Sequence, residues 1–128
     1  MYEVYIDGAS AGNPGLSGAG IFIKGNNVVE DYSIPLGVMN NHLAEFHALI
    51  HALEICIERN YTVVSFRTDS KIVCDSIEKE FVKRSDFKPL LQKALTLIES
   101  FDLFFIKWIP EKNNQQADRL ARAAIHKN

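Results

Sequence analysis

The chain contains 128 residues, of which 47% are hydrophobic and 23% charged, and its formal net charge at pH 7 is -2. This composition is typical of one globular domain with its own core and argues against intrinsic disorder. The opening residues MYEVYIDG lack the features of a signal peptide. No apolar run approaches the roughly 20 residues of a membrane span, so we expect a cytoplasmic protein without membrane contact. Because the net charge provides no overall positive field, any contact with a polyanion must depend on local basic groups.

The first third of the chain predicts an antiparallel meander. Alternating apolar residues indicate a strand at 2–7, and two further apolar runs indicate strands at 18–24 and 28–36, joined by a turn at 25–27. Residues 43–59 then change to a helical period with one apolar stripe. Cys56 lies within that helix, where a thiol usually behaves as a small buried hydrophobic group.

The remaining chain alternates helices with strands. A strand is predicted at 63–68, a helix at 70–81 that contains Cys74, a second helix from Pro89 to Ile98, a strand at 103–109 and a last helix at 117–126. We expect both cysteines to be unpaired. The order βββαβααβα predicts a single α/β domain over residues 1–128, with a five-stranded mixed sheet and helices on both faces.

Four acidic residues occupy unusual positions in this pattern. Asp7 and Asp69 each close a predicted strand, whereas Glu45 and Asp118 each lie at the start of a predicted helix. At about 100° per residue, Glu45 points in the same direction as the apolar side of its helix. A buried carboxylate must be paired, protonated or bound to metal, and no lysine or arginine is an obvious partner.

Each acid also has an ordinary structural interpretation. Glu45 could be half-exposed in a first helical turn, which favours negative charge, and Asp69 could cap the helix that follows it. Asp7 could form a turn with Gly8, and Asp118 could be an exposed helix residue. A common location at one end of the sheet favours a shared site instead. Carboxylate oxygens suit magnesium, and a pair of such ions can promote hydrolysis of a phosphodiester.

Four ordered segments give the chain its resemblance to a known family. They are YIDGASAGNPG at 5–15, NNHLAEFHALIHAL at 40–53, FRTDSKIV at 66–73 and WIPEKNNQQADRLA at 108–121. In these segments the chain resembles the ribonuclease H family, type 1, over nearly its whole length. The resemblance implies that Asp7, Glu45, Asp69 and Asp118 bind two Mg²⁺ or Mn²⁺ ions. It also implies endonucleolytic cleavage of the RNA strand of an RNA–DNA hybrid, leaving 5′-phosphate and 3′-hydroxyl ends.

The resemblance extends to residues that would contact the hybrid. A glycine-rich loop at 8–15 would sense 2′-hydroxyl groups through exposed backbone groups, with Gly8, Ala9 and Ser10 beside Asp7. Asn41, four residues before Glu45, matches a family asparagine that contacts the backbone of the hybrid. Asn13 is a further candidate, with a plain Asn-Pro-Gly turn as its alternative.

The chain departs from the family pattern at three places. The loop before Asp118 has no histidine, so Glu111 or a water would have to assist proton movement. A short-loop branch of the family has a similar PxxxN pattern in place of the histidine. There is no long basic protrusion, only a small cluster of lysines and arginines at 79–88, and His42 replaces a usual asparagine. The alternative function is therefore a catalytically weak module that binds hybrid or a protein partner of unknown identity. The related fold of transposases, integrases and junction resolvases is a further possibility by analogy alone.

Overall fold

The computed structural model describes residues 1–128 and contains five strands, four α-helices and one short 3₁₀ segment. The strands are β1 (Tyr2–Ser10), β2 (Gly15–Gly25), β3 (Val28–Met39), β4 (Val63–Thr68) and β5 (Leu103–Trp108). The helices are α1 (Asn41–Glu58), α2 (Lys71–Lys79), α3 (Lys88–Ile98) and α4 (Gln115–Ile125), with the 3₁₀ segment at Glu111–Asn113. The predicted element order βββαβααβα is confirmed.

The strands form one mixed sheet in the order β3-β2-β1-β4-β5. β1, β2 and β3 pair antiparallel, whereas β4 runs parallel to β1 and β5 runs parallel to β4. A helical connection between strands of one sheet normally produces such parallel pairing, since the chain must return to the same end. The sheet therefore has the antiparallel and parallel halves predicted from the sequence.

The predicted strand limits were wrong in the glycine-rich segment, and β3 continues three residues beyond its predicted end at residue 36. β1 does not end at Asp7 but continues to Ser10, and β2 begins at Gly15. The register pairs Gly8 with Ala19, Ala9 with Gly18 and Ser10 with Ser17. Glycine is a weak strand former by itself, but continued pairing with β2 overrides that preference here. Gly8, Ala9 and Ser10 thus lie in a strand, and the connecting turn is confined to 11–14.

Helices cover both faces of the sheet, as predicted. α1 packs on β1 and contacts α2 and α3, which lie on the same side, whereas α4 packs on β2 and β1 from the opposite side. The core lies mainly beneath α1. Its largest fully buried side chains include Phe46, Phe66 and Phe87. Burial of such side chains contributes roughly 1.5–3 kcal/mol each and fixes α1 against the sheet.

The helix limits differ from prediction by a few residues. Ser70 lies outside α2 because its side chain caps the helix, accepting a hydrogen bond from the Val73 amide. α4 begins two residues earlier than predicted. No helix combines the length and hydropathy that a membrane span requires. Cys56 and Cys74 are both free and buried, as expected from their positions in apolar helical patterns.

Candidate metal centre and active site

Asp7 and Asp69 meet because β1 and β4 run parallel. The last parallel pair joins Ile6 to Thr68, so the two aspartates are the next residues on neighbouring strands. Alternation along a strand places them on the same face of the sheet, the face that α4 covers. Asp7 is 8% exposed. The parallel half of the sheet thus positions two of the predicted acids side by side.

Glu45 reaches this position because α1 lies unusually close to β1. A Cβ atom on Gly8 would lie 2.4 Å from the Glu45 backbone nitrogen, so only glycine permits this approach. Leu49 and Ala52, which share the direction of Glu45 along α1, are fully buried, as the helical period predicted. The ordinary interpretation of Glu45 as a half-exposed first-turn residue is therefore wrong. α1 begins at Asn41, four residues before Glu45, and the Glu45 side chain is only 15% exposed.

Asp118 is brought to the sheet by a second close approach, that of α4. Cβ atoms on Gly18 and Gly20 would lie 2.4 and 2.0 Å from carbonyl oxygens of α4. The missing side chains let α4 pack directly on β2. Asp118 accepts hydrogen bonds from Arg122 Nε at 3.1 and 3.0 Å, an i, i+4 ion pair on the helix surface. Asp118 is therefore partly neutralised by its own helix.

The structure brings the four predicted acids to one cleft of about 670 Å³. Oxygen atoms of Asp7, Glu45 and Asp69 lie within 4.8 Å of one another. Asp118 and Glu111 line the same cleft. The capping interpretation of Asp69 is wrong, because Ser70 caps α2 and leaves the carboxylate of Asp69 free to face the cluster.

Burial and mutual repulsion make the cluster electrostatically unfavourable as it stands. Burial raises the pKa of Asp7 to about 9, and the nearby charges of Asp69, Asp118 and Glu45 act in the same direction. Burial also raises the pKa of Asp69 and of Glu45. His42 opposes the shift at Glu45, because its Nδ1 lies 3.1 Å from Glu45 Oε1. At least one carboxyl group therefore keeps a proton near neutral pH unless a cation enters.

The donor set fits a hard divalent cation. Three carboxylates offer oxygen atoms at mutual distances suited to joint coordination, and magnesium prefers such oxygens together with waters or substrate phosphate. Arg122 is the one lysine or arginine paired with these acids, and it contacts Asp118, whereas His42 lies against Glu45. Asp7, Glu45 and Asp69 would hold the metal, with Asp118 adjacent in the cleft.

Two side chains that the sequence analysis did not identify hold Asp69 in place. Trp108 donates from Nε1 to the Asp69 carbonyl at 3.1 Å. Asn114, which is 1% exposed, donates from Nδ2 to the Ile6 carbonyl at 2.9 Å and to Asp69 Oδ2 at 3.4 Å. These contacts join residues 39 to 108 positions apart along the chain, so no local pattern indicates them. The sequence offers one indication, the position of Asn114 directly before α4. That position would ordinarily be interpreted as a helix cap.

The predicted hybrid-binding residues divide into two groups. Gly8, Ala9, Ser10 and Asn41 line the cleft beside the acids. The Ser10 hydroxyl donates to the Met39 carbonyl at 2.7 Å and contacts Ser17 Oγ at 2.7 Å, so it is engaged within the protein. Asn13 does not line the cleft. Its side-chain oxygen accepts a hydrogen bond from the backbone N–H of Asn41 at 3.0 Å, and this contact stabilises the start of α1.

Sequence comparisons place the chain among nucleases. A family described as "Reverse transcriptase-like" matches residues 5–124. The chain is 42% identical over 129 residues to a protein of Enterococcus faecalis called EbsB, covering 99% of this chain and 96% of that protein. It is 32% identical over 126 residues to ribonuclease HI of Halobacterium salinarum, covering 96% of this chain and 63% of that protein.

Solved structures agree with this placement. The fold matches the crystal structure of RNase H1 from Halobacterium salinarum with a TM-score of 0.92 and 29% identity, covering 99% of this chain and 98% of that one. It also matches LC11-RNase H1 in complex with an RNA/DNA hybrid, with a TM-score of 0.89 and 28% identity over 99% of this chain and 98% of that one. LC11-RNase H1 was isolated from compost. The fold, the cleft and these relatives together show that the chain belongs to the ribonuclease H family and resembles its type 1 members.

Proposed function

We propose that this protein is a metal-dependent endonuclease that hydrolyses the RNA strand of RNA–DNA hybrids with two divalent ions. The observation that carries the proposal is the convergence of Asp7, Glu45 and Asp69 within 4.8 Å, with Asp118 in the same cleft. Carboxylates gathered in this way without a cation repel one another, and Mg²⁺ or Mn²⁺ would remove that repulsion. When bound, two such ions would activate water on one side of the phosphodiester and stabilise the leaving oxygen on the other.

The residues of the chain have separate roles in this proposal. Asp7, Glu45, Asp69 and Asp118 would hold the ions, and no side chain would serve as a nucleophile. Trp108 and Asn114 orient Asp69 through its carbonyl and its carboxylate. The product ends would be a 5′-phosphate and a 3′-hydroxyl.

Substrate selection would depend on the cleft wall formed by β1 and the start of α1. Gly8 and Ala9 offer backbone groups close to the acids, and Asn41 offers a side-chain amide at the same wall. Such groups can contact sugar and phosphate without reading base sequence. The hybrid held by LC11-RNase H1, a structural neighbour, supports this choice of substrate.

Cleavage assays on three substrates would test the proposal. Purified protein with magnesium or manganese should cut the RNA strand of a labelled hybrid and leave duplex DNA and single-stranded RNA intact. Asp7→Asn, Glu45→Gln, Asp69→Asn and Asp118→Asn should each reduce the rate by about 100-fold or more. Asp75→Asn is the matched control, because Asp75 is exposed on α2 outside the cleft. Cleavage of hybrid that is unaffected by any of the four substitutions would refute the assignment.

The second candidate is a hybrid-binding module with little catalytic activity. It is favoured by the absence of histidine from the loop before Asp118 and by the ion pair that holds Asp118 to Arg122. Tight hybrid binding with full-length RNA after long incubation at high protein concentration would select this candidate. A cytoplasmic location stays a prediction from the sequence.

A further inference from the structure

A second surface, which carries aromatic and basic side chains, lies on the sheet itself. α4 covers one end of the sheet face that carries Asp7, above Gly18 and Gly20, and leaves the other end of that face exposed. Pairing between the strands places two rows of side chains on the exposed part. The rows are Phe22, Tyr5, Arg67 and Lys107, then Lys24, Glu3, Ser65 and Phe105.

We propose that six of these residues form a binding surface for single-stranded nucleic acid, here called the open sheet face: Tyr5, Phe22, Lys24, Arg67, Phe105 and Lys107. Four neighbouring strands at their usual spacing make each row about 14 Å wide. Aromatic side chains on a four-stranded sheet can stack two or three bases, while cations beside them hold the phosphates. The surface goes beyond the proposed nuclease site, because it contains none of the four acids.

The open sheet face has one exposed aromatic ring, that of Phe105, and two partly exposed rings, those of Tyr5 and Phe22. Phe105 is 50% exposed although it lies within a strand. Tyr5 and Phe22 pack at 5.9 Å between ring centroids and form one wall of a groove of about 360 Å³. Lys24 and Arg67 lie 5.7 and 5.4 Å from the centre of the Tyr5 ring. Rings and cations therefore alternate on the part of the sheet that lies beside the start of α4.

Positive charge exceeds negative charge on the open sheet face itself, in contrast to the net charge of -2 for the chain. Asp7 and Asp69 lie outside it, two residues beyond Tyr5 and Arg67. Glu3 receives a hydrogen bond from Tyr5 and contacts Arg67 Nη1 at 3.0 Å and Lys24 Nζ at 3.8 Å. The Tyr5 hydrogen bond lowers the pKa of Glu3, and the charges of Arg67, Lys24 and Lys107 lower it further. Such a concentration of cations around one carboxylate favours an anionic ligand.

Two more charged residues, one of each sign, border the open sheet face. Lys112 lines the groove opposite Tyr5, and Asp31 lies across from Phe22 at the β3 edge. Counting both, four cations face two carboxylates. A polyanion bound here would release counterions and bind in a salt-dependent manner.

The same chemistry argues against a protein partner and against discrimination between RNA and DNA. The centres of protein interfaces are depleted of charged residues and especially of lysine, whereas here cations lie between the rings. Recognition of a 2′-hydroxyl needs free polar groups. Glu3 is occupied by Arg67 and Tyr5, and the Ser65 hydroxyl accepts from Arg67 Nε at 3.1 Å. Among the side chains of the strands, stacking and charge remain, and both are common to single-stranded DNA and RNA.

Fluorescence anisotropy with labelled oligo-dT and oligo-U of about 12 nucleotides would test the inference. The assay contains EDTA and no divalent metal, so its result does not depend on the nuclease site. Both oligomers should bind with affinities within about twofold of each other, and affinity should fall with salt. Phe105→Ala should weaken binding at least about fivefold, whereas Phe105→Tyr, which keeps the ring, should retain it. Lys107→Glu should weaken binding and reduce the slope of log affinity against log salt by about 0.7 or more.

Matched controls lie on the helical side of the molecule. Phe81, which is 62% exposed, lies after α2, and Lys93 is exposed on α3. Phe81→Ala and Lys93→Glu should change affinity by less than about twofold, and every variant is compared at an unchanged melting temperature. Equal losses in the control pair would place binding elsewhere. An unaffected Phe105→Ala, or equal competition by base-free polyphosphate, would leave only non-specific attraction and overturn the inference. Loss of a dimer in Phe105→Ala, without oligonucleotide binding, would assign the surface to a second copy instead.

Discussion

Replacing Asp7 by asparagine should stabilise the metal-free protein. Asp7 is the most buried of the clustered acids, and its pKa is raised from 3.8 to about 9. At about pH 7.5 only the interval between the unfolded pKa of 3.8 and the solution pH counts, and it corresponds to about 5 kcal/mol against the folded state, since each unit is worth about 1.36 kcal/mol. Neighbouring carboxylates share the proton and relieve part of this energy, so we expect a gain of about 1–3 kcal/mol in the variant.

The sign of the pH dependence follows from the same shift. Below about pH 4 the carboxyl group is protonated in both states, and Asp7 does not penalise folding. As pH rises towards 9, the unfolded chain releases this proton while the native state retains it, so the stability of the metal-free wild type falls. Asp7→Asn should flatten this decline between about pH 4 and 9. Saturating magnesium should make the wild type more stable than Asp7→Asn. An ion at about 100 times its dissociation constant stabilises the protein by about 2.7 kcal/mol, and the variant lacks one of the carboxylates that would bind it.

Thermal melts in EDTA and in magnesium, at several pH values, would measure both effects. Asp75→Asn serves as the control, because this exposed helix residue should shift stability by no more than about 0.5 kcal/mol. An Asp7→Asn protein that melts at or below the wild-type temperature in EDTA near neutral pH would refute the reasoning. So would identical responses of the two proteins to magnesium.

Three further predictions concern packing, positioning and thiol burial. Gly20→Ala should lower the free energy of unfolding by about 1–3 kcal/mol, because its Cβ would lie 2.0 Å from a carbonyl oxygen of α4; chemical denaturation measures this. Trp108→Phe should lower kcat about 10-fold with little change in the free energy of unfolding, because Asp69 loses the donor at its carbonyl; unchanged kcat would contradict this role. Cys56 and Cys74 should react with a thiol reagent only after unfolding, because burial raises the pKa of each to about 12; rapid reaction of the native protein would exclude this.

The sequence predicted those features that depend on local periodicity. The helical period of α1 placed Glu45 on the buried side, and the order of helices and strands predicted a mixed sheet. Both follow from patterns that a few neighbouring residues create. The ribonuclease H resemblance pointed to Asp7, Glu45, Asp69 and Asp118, and these four line one cleft together with Glu111.

Features that depend on distant contacts were missed or misplaced. The extension of β1 beyond Asp7 needs pairing with Gly18 and Ser17, which overrides the low strand preference of glycine. Asp69 and Ser70 are both residue types that cap helices, and the local sequence does not decide between them. In the structure Ser70 caps α2. The support from Asn114 depends on the Ile6 carbonyl, 108 positions away, and no local pattern predicts such a contact.

The docking of α4 has a consequence for the timing of activity. Asp118 belongs to the last helix of the domain in chain order, whereas Asp7, Glu45 and Asp69 precede it by 49 residues or more. During translation, three carboxylates emerge from the ribosome before the helix that completes the quartet. A nascent chain therefore lacks a finished centre until α4 has been synthesised and has settled on the glycines of β2.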